Sequence, residues 1–126
     1  MSLNKILLMG NLGSDPEVRY TQAGKPVASF RLATNRNYKI EGEVRKETEW
    51  FSIVAFGRLA EICSEFLQKG KPVFVEGRMR TRNWSDAQGI KHFRTEVIVE
   101  GLRLMGTRNG DSSQAEPPTA EDPESS

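Results

Sequence analysis

The sequence has very little of the chemistry on which most active sites and metal centres depend. Cys63 is the only cysteine and His92 the only histidine, so the chain forms no internal disulfide and has no Cys/His cluster with metal-ligand spacing. It contains no P-loop. Glu47 and Glu49 are two residues apart, so they share one face of a strand, but such a pair of acids is common and is weak evidence for catalysis. We interpret His92 as a surface residue. We therefore expect no enzymatic activity, no cofactor and no metal ion.

Long hydrophobic runs are also missing. No segment approaches the length of a membrane span, and the N-terminus leads directly into a strand-like segment rather than into a targeting leader. A single cysteine is typical of a reducing compartment. These absences predict a soluble intracellular protein with no membrane partner.

Charge is divided unevenly along the chain. Five of the 17 acidic residues lie in residues 109–126, which contain no lysine or arginine, so residues 1–108 hold 18 basic and 12 acidic groups, a net charge of +6. A basic body with an acidic tail is typical of polyanion-binding proteins, although a short acidic tail can also serve solubility alone. The tail has almost no apolar residue, which predicts disorder over residues 109–126.

Alternating apolar residues predict five strands, because successive side chains of a strand point to opposite faces. A short strand-like segment, Glu17–Thr21, follows the first of them. An apolar stripe at helical spacing predicts one helix over Arg58–Gln68, closed by Lys69 and Gly70, with Cys63 on its buried side. The predicted strands are Leu3–Asn11, Pro26–Asn35, Glu47–Phe56, Lys71–Trp84 and Ile90–Leu104.

The order of these elements is that of a small all-β barrel. Five strands, with one helix between the third and the fourth, predict a five-stranded Greek-key barrel of the oligonucleotide-binding (OB) fold over residues 1–108. The polar segment Arg36–Lys46, with Gly42 at its centre, predicts a long, mobile hairpin tip between the second and third strands. Residues 109–126 then form a disordered acidic tail.

The strand Lys71–Trp84 has two faces of opposite character. One face is apolar and fits a core, whereas the other presents Arg78, Arg80 and Arg82 and then Trp84. Three guanidinium groups side by side repel one another unless an anion lies across them, and an indole offers a flat surface to a base. Our hypothesis is that this face binds a nucleic-acid strand. The alternative is a solvated face whose arginines only prevent aggregation.

Aromatic residues are interleaved with basic ones elsewhere in the predicted barrel. Cations track phosphates and flat rings stack on unpaired bases, so this mixture favours single-stranded nucleic acid over a duplex. No helix has the character of a major-groove reader, so binding should be indifferent to sequence. Tyr38, in the polar hairpin tip, either contacts a ligand or lies flat on its own strand. The candidate DNA-binding residues are Tyr38, Trp50, Phe56, Trp84, Arg31, Arg36, Lys39, Arg58, Lys69, Arg78, Arg80 and Arg82.

Four blocks of sequence, in a fixed order, are specific enough to suggest a family. They are NKILLMGNLGSDPEVRYT at 4–21, VASFRLATN at 27–35, TEWFSIVAFGRLAE at 48–61 and VFVEGRMRTRNW at 73–84. With these blocks the chain, over Leu3–Leu104, resembles the bacterial-type single-stranded DNA-binding protein (SSB) family. The resemblance implies an OB fold, a homotetramer, and protection of single-stranded DNA in replication, recombination and repair in the bacterial cytoplasm, with the nucleoid.

The resemblance also implies roles for individual residues. Trp50, Phe56 and Trp84 match the base-stacking aromatics of the family, and Tyr38 stands where many members have tryptophan. Basic positions near the DNA path are matched by Arg58 and Lys69.

The tail departs from the family pattern. Members commonly end in an acidic tip with Pro-Phe, which docks replication and repair proteins, whereas this sequence ends in EDPESS, with the acids but without that phenylalanine. An alternative function on the same barrel is that of a protein-interaction module in a replication-restart (primosome) assembly. The presence of Trp50, Phe56 and Trp84 together with the arginine row favours DNA binding over this alternative.

Overall fold

The structure is a computed structural model that describes residues 1–105 and 119–121. One helix, α1 (Arg58–Phe66), lies between the fourth and fifth strands. The five predicted strands, the short segment after the first of them and the helix are all present, so the predicted order of elements is confirmed. The strands are β1 (Ile6–Leu12), β2 (Glu17–Tyr20), β3 (Pro26–Ile40), β4 (Glu43–Phe56), β5 (Pro72–Ser85), β6 (Lys91–Leu104) and β7 (Thr119–Glu121).

Five of these strands close into a barrel. β1 pairs with β5, β5 with β6, β6 with β4 and β4 with β3, and the end of β1 pairs with β3 to complete the ring. The β4–β6 contact is parallel and short, joining Ile53 to Val97 and Val54 to Ile98. β2 pairs with the start of β3 beside the ring. The predicted fold, an all-β five-stranded OB barrel with one helix, is therefore confirmed.

The core lies between the inward faces of the strands and one side of α1. Leu32, Ile53, Val75 and Val99 have no more than 1% of their surface exposed. Cys63 is fully buried on the inner side of α1, as predicted. Burial raises the pKa of its thiol to about 12, so the group stays protonated and unreactive at neutral pH.

A bulge in β6 keeps its apolar residues inward along its whole length. Glu76 of β5 faces Gly101 and the next residue, Gly77, faces Val99, so Glu100 is the extra residue of β6. Odd-numbered residues of β6 face the core before the bulge and even-numbered residues after it. The alternation of β5 is unbroken, and its arginine face lies beside the polar face of β6.

Two hairpins extend beyond the barrel as two-stranded arms, one made by β3 and β4 and the other by β5 and β6. The β3–β4 pairing continues without a break to a two-residue turn, Glu41–Gly42, whose φ angles are 52° and 82°. Both angles are positive, as a primed hairpin turn requires. The predicted hairpin between the second and third strands is present, but most of Arg36–Lys46 is paired strand instead of a loop. Its sequence lacks strand alternation because this part of the arm covers no core.

The segment after α1 also differs from the prediction. α1 ends at Phe66 and the backbone of Leu67 is extended, so Lys69 and Gly70 lie in the following turn instead of closing the helix. Gly70 has a φ of 89°, and its N–H donates to the carbonyl of Leu12 at 2.8 Å. This hydrogen bond ties the turn to the end of β1.

Within the predicted tail, Thr119–Glu121 form β7, which pairs antiparallel with Gly101–Arg103 of β6. These three residues form a strand where the sequence predicted disorder, because the edge of β6 offers free backbone hydrogen-bonding groups. The rest of the tail, including the final acidic residues, lies outside the described residues. None of the helices in the described part of the chain is long and apolar enough to cross a membrane.

Candidate nucleic-acid interface

An open groove lies between the two arms, on the side of the β3–β4 hairpin that faces away from the core. It consists of two adjoining clefts of about 510 Å³ and 400 Å³. Both are lined by Ser29 of β3, by Val54 of β4 and by Arg94 and Glu96 of β6. We refer to the whole surface as the inter-arm groove and to its smaller part as the arginine cleft. The arginines of that cleft are Arg19, Arg80, Arg82 and Arg94.

Trp50 lies on the groove side of β4, and its indole is held by two neighbours. The guanidinium carbon of Arg31 is 4.6 Å from the ring centroid, a cation–π distance. A Cβ atom added to Gly13 would stand under 3.0 Å from Cζ3 and Cη2 of the indole, so one edge of the ring rests on the backbone of Gly13. Trp50 still exposes 47% of its surface. The ring is therefore positioned and also accessible to a ligand.

Phe56 and the arginine row of β5 meet at the arginine cleft. Phe56, the last residue of β4, lies with its ring centroid 5.9 Å from the guanidinium carbon of Arg80. Arg82 lines the same cleft. Arg78 lies on the same face of β5, closer to the barrel. The alternation of β5 thus places the three arginines on one face, as the sequence predicted.

The repulsion expected among these arginines is relieved by carboxylates of β6. Arg80 donates a hydrogen bond to Oε1 of Glu96 at 2.9 Å, and Arg82 lies 3.8 Å from Oε2 of the same side chain. Arg78 lies 3.4 Å from Glu100. The row therefore does not require an external anion, contrary to the argument from β5 alone.

Arg94 is a cation that the sequence reasoning missed. It lies directly opposite Arg82 in the β5–β6 ladder, and like charges in this arrangement destabilise a sheet. Within residues 1–105, no carboxylate lies within ion-pair distance of Arg94. The arginine cleft has four arginines and only two carboxylates, those of Glu17 and Glu96. This surplus of positive charge in a concave surface attracts polyanions.

Trp84, at the outer end of the arginine row, belongs to a stacked column. His92 stands opposite it in the ladder, with ring centroids 5.3 Å apart and an angle of 19° between the planes. The guanidinium carbon of Arg82 lies 4.8 Å from the Trp84 ring. Nε2 of His92 lies 2.9 Å from Oδ2 of Asp86, and this bond, with the backbone N–H of Ile90, holds the pKa of Asp86 below its usual range. His92 thus supports a predicted stacking ring.

Two candidates lie away from the groove. Tyr38 and Arg36 are on the opposite face of the β3–β4 arm from Trp50, since they belong to the other set of alternating positions. The guanidinium carbon of Arg36 is 5.3 Å from the Tyr38 ring centroid, and the same group lies 3.1 Å from Glu47. Lys39 is on the groove side, but near the tip of the arm.

Arg58 and Lys69 line neither cleft. Arg58 begins α1 just after Phe56 and lies 3.5 Å from Glu61. The backbone N–H of Lys69 donates at 2.8 Å to Oδ1 of Asp15, a residue of the larger cleft.

Part of this site had no signal in the sequence. The pairing of Trp84 with His92, and of Arg82 with Arg94, depends on the register of β5 against β6, which no single segment specifies. Gly13 has no side chain that could mark it in the sequence, although its backbone supports the ring of Trp50. Arg94 and His92 themselves did have a signal in the sequence, since a basic and an aromatic side chain stand near the start of the last predicted strand.

The groove offers binding chemistry rather than a metal centre. No group of three or more acidic, histidine or cysteine side chains in the described residues could hold a metal ion. Fixed cations lie beside partly exposed rings along one concave surface. Such a surface suits a flexible chain with phosphates along its backbone and flat bases free to stack.

The barrel and the groove together define an OB-fold protein, a class that binds oligonucleotides or oligosaccharides on its outer strand face. Comparison with known proteins narrows the class. The model of the Single-strand binding protein family matches residues 3–105. The chain is therefore a member of that family, as the resemblance predicted.

Two relatives show how close the similarity is. The chain is 44% identical over 109 residues to "Single-stranded DNA-binding protein 1" of Chlorobaculum tepidum, covering 85% of this chain and 67% of that protein. It is also similar to the solved structure "Plasmodium falciparum SSB complex with ssDNA", with a TM-score of 0.73 and 33% identity over 79% of this chain and 88% of that chain.

Proposed function

We propose that the protein binds single-stranded DNA with little regard to sequence and protects it during replication, recombination and repair, without enzymatic activity. The observation that carries this proposal is the placement of Phe56, Arg80, Arg82 and Arg94 in one cleft, with Trp50 on the same face of β4. The names of the two relatives support it, since both describe single-stranded DNA-binding proteins.

In this proposal, different residues of the groove bind the phosphates and the bases of the DNA strand. Arg80, Arg82 and Arg94 neutralise phosphates, and this contact is blind to sequence. The rings of Trp50 and Phe56 stack on bases, as does Trp84 at the outer end, each contributing about 1–3 kcal/mol. Paired bases cannot present their faces to such rings, so a duplex binds more weakly.

The remaining candidates define the path beyond the groove. Lys39 and Tyr38 lie on opposite faces of the β3–β4 arm, so a strand that wraps around the arm would contact both. Arg58 at the start of α1 and Lys69, whose backbone is bonded to Asp15 of the larger cleft, would extend the path past the helix. The guanidinium group of Arg36 lies over the Tyr38 ring, and that of Arg31 lies over the Trp50 ring.

Competition binding tests this function. A fluorescein-labelled single strand of mixed sequence is bound to the protein at low salt and followed by anisotropy. Unlabelled oligo(dT), oligo(dA) and oligo(dC) should displace it at similar concentrations, whereas a duplex of the same length should displace it poorly. Equal displacement by the duplex, or no binding of the labelled strand at low salt, would overturn the proposal.

We further propose that the protein is a homo-oligomer, a tetramer in the simplest case, in the bacterial cytoplasm. Leu7 and Met9, on the outer face of β1, expose 59% and 58% of their surfaces. β1 pairs with β3 only through Asn11 and Leu12, so the rest of that edge has no partner strand in the described residues. An apolar face beside a free edge favours pairing with a second copy.

A further inference from the structure

The most unusual side chain of the groove is a carboxylate. Glu96 exposes only 5% of its surface and is the one charged residue that is buried among the described residues. It lines both clefts of the inter-arm groove. A buried carboxylate at the centre of a surface for polyanions needs an explanation, because its charge opposes the binding of phosphate.

The partners of Glu96 suggest that explanation. Its Oε1 accepts a hydrogen bond from Arg80 at 2.9 Å, and its Oε2 lies 3.8 Å from Arg82. The side chains of Arg80 and Arg82 are still 40% and 48% exposed, and both line the arginine cleft, so they are accessible from the groove. A carboxylate and a phosphate present similar oxygen pairs to a guanidinium group. Glu96 therefore already occupies part of the coordination that a phosphate would use.

We propose that Glu96 is an internal counter-anion that holds Arg80 and Arg82 in the free protein and competes with DNA phosphates for them. The inference rests on the proposed function and adds to it that Glu96 lowers the affinity of Arg80 and Arg82 for DNA phosphates. DNA binding exchanges the carboxylate for phosphate at these two guanidinium groups. The ion pairs with Glu96 keep both arginines ordered when no DNA is bound. When the strand leaves, the carboxylate takes the place of the phosphate again, which eases release.

The salt dependence of binding distinguishes this role from a structural one. Each phosphate neutralised by a cation on a single strand adds about 0.7 to the slope of log K against log salt. Arginines already neutralised by Glu96 contribute less than free arginines do. Removing the charge of Glu96 should therefore tighten binding at low salt and steepen the slope, whereas loss of a purely positioning residue should weaken binding and flatten the slope.

The experiment compares Glu96→Gln with wild type by anisotropy of labelled oligo(dT) over a salt series. Glutamine keeps the shape and a hydrogen-bond acceptor for Arg80. We expect tighter binding at 50 mM salt and a slope steeper by up to about 0.7, so that the advantage of the variant shrinks by up to about 2.6-fold at 200 mM. Weaker binding, or an unchanged slope, would overturn the inference.

Glu100→Gln is the matched control. It makes the same change in net charge beside another arginine of the row, Arg78, but Glu100 lines neither cleft. We expect it to change affinity and slope clearly less than Glu96→Gln does. Equal effects of the two variants would show that only the net charge of the protein matters, and this would overturn the inference.

Two further measurements separate a failure of this inference from a failure of folding or of the proposed function. Thermal unfolding shows whether Glu96→Gln is folded. If it is not, Glu96→Asp keeps the charge but withdraws it from Arg80, and should tighten binding by a smaller factor; unchanged or weaker binding would then count against the inference. Failure of wild type to bind oligo(dT) at low salt would instead refute the proposed function.

Discussion

The indole of Trp50 rests on the backbone of Gly13, which leaves no room for a Cβ atom at that position. The two residues come from different elements, since Gly13 follows β1 and Trp50 lies on β4. A hydrogen bond of 2.8 Å from the N–H of Gly13 to the carbonyl of Arg31 fixes the seat of the ring. Arg31 also lies over the indole. The orientation of a proposed stacking ring thus depends on a residue that has no side chain.

Gly13→Ala should displace the Trp50 ring and weaken binding to single-stranded DNA. The added methyl group overlaps Cζ3 and Cη2, so the ring must move or the turn must shift. We expect a loss approaching that of Trp50→Ala, about 1–3 kcal/mol for one stacked base. Titration with oligo(dT) measures the loss.

The double variant Gly13→Ala/Trp50→Ala is the control for that prediction. If Gly13 acts through the ring, the double variant should bind no more weakly than Trp50→Ala alone, because the two changes remove the same interaction. Additive losses would show that Gly13 affects binding by another route.

His92→Ala should weaken DNA binding through Trp84. The imidazole stacks on the indole and is itself held by Asp86, so its removal leaves Trp84 free to change its orientation. We expect a smaller loss than that of Trp84→Ala and no further loss when the two are combined. Binding of oligo(dT) and the fluorescence of Trp84 both report this change.

Phe93→Ala controls for the loss of an aromatic ring from the same strand. Phe93 is adjacent in sequence, exposes 69% of its surface and points to the opposite face of β6. Its removal should leave the affinity nearly unchanged. A loss equal to that of His92→Ala would argue against the stacked column as the cause.

Arg94→Ala should flatten the salt dependence of DNA binding. Arg94 lines both clefts and has no ion pair within residues 1–105, so its whole charge is available to a phosphate. We expect the slope of log K against log salt to fall by about 0.7. Arg103→Ala removes the same charge from the far end of β6, outside both clefts, and should change the slope much less. Equal slopes for both variants would place the phosphates elsewhere.

Leu7→Asp should dissociate the proposed oligomer. A charge on the exposed apolar face of β1 would have to be buried without a partner in the interface, which costs several kcal/mol. Light scattering measures the molar mass. Leu3→Asp, at a residue that is 88% exposed and precedes β1, should leave the mass unchanged. A wild-type molar mass equal to that of a single chain would refute the proposal.

The sequence predicts the parts of this molecule that depend on local pattern. The alternation of β5 separates its arginine face from its apolar face without knowledge of any neighbour. The order of strands and helix was enough for the OB fold. The hairpin between β3 and β4 was predicted, but the strand pairing along its arm was missed. Backbone hydrogen bonds and the Glu41–Gly42 turn hold this arm, and neither leaves a hydrophobic period in the sequence.

The groove itself could be predicted only in part, because its properties come from pairs of strands. Glu96 is one acid among several in the sequence, and its role follows only from its register against Arg80 and Arg82. Likewise, Tyr38 and Trp50 are both aromatic residues of one hairpin, yet the pairing places them on opposite faces. Register joins residues that are distant in sequence, so a single segment does not contain it.

Fluorescence of the two indoles tests the central claim most directly. The chain has two tryptophans, so Trp50→Phe and Trp84→Phe each leave one reporter among the proposed stacking rings. Each variant is titrated with oligo(dT) at low salt while anisotropy of labelled DNA confirms binding. If bases stack on these rings, the fluorescence of both variants should be strongly quenched as DNA binds. Bound DNA with unchanged emission from both indoles would contradict the account.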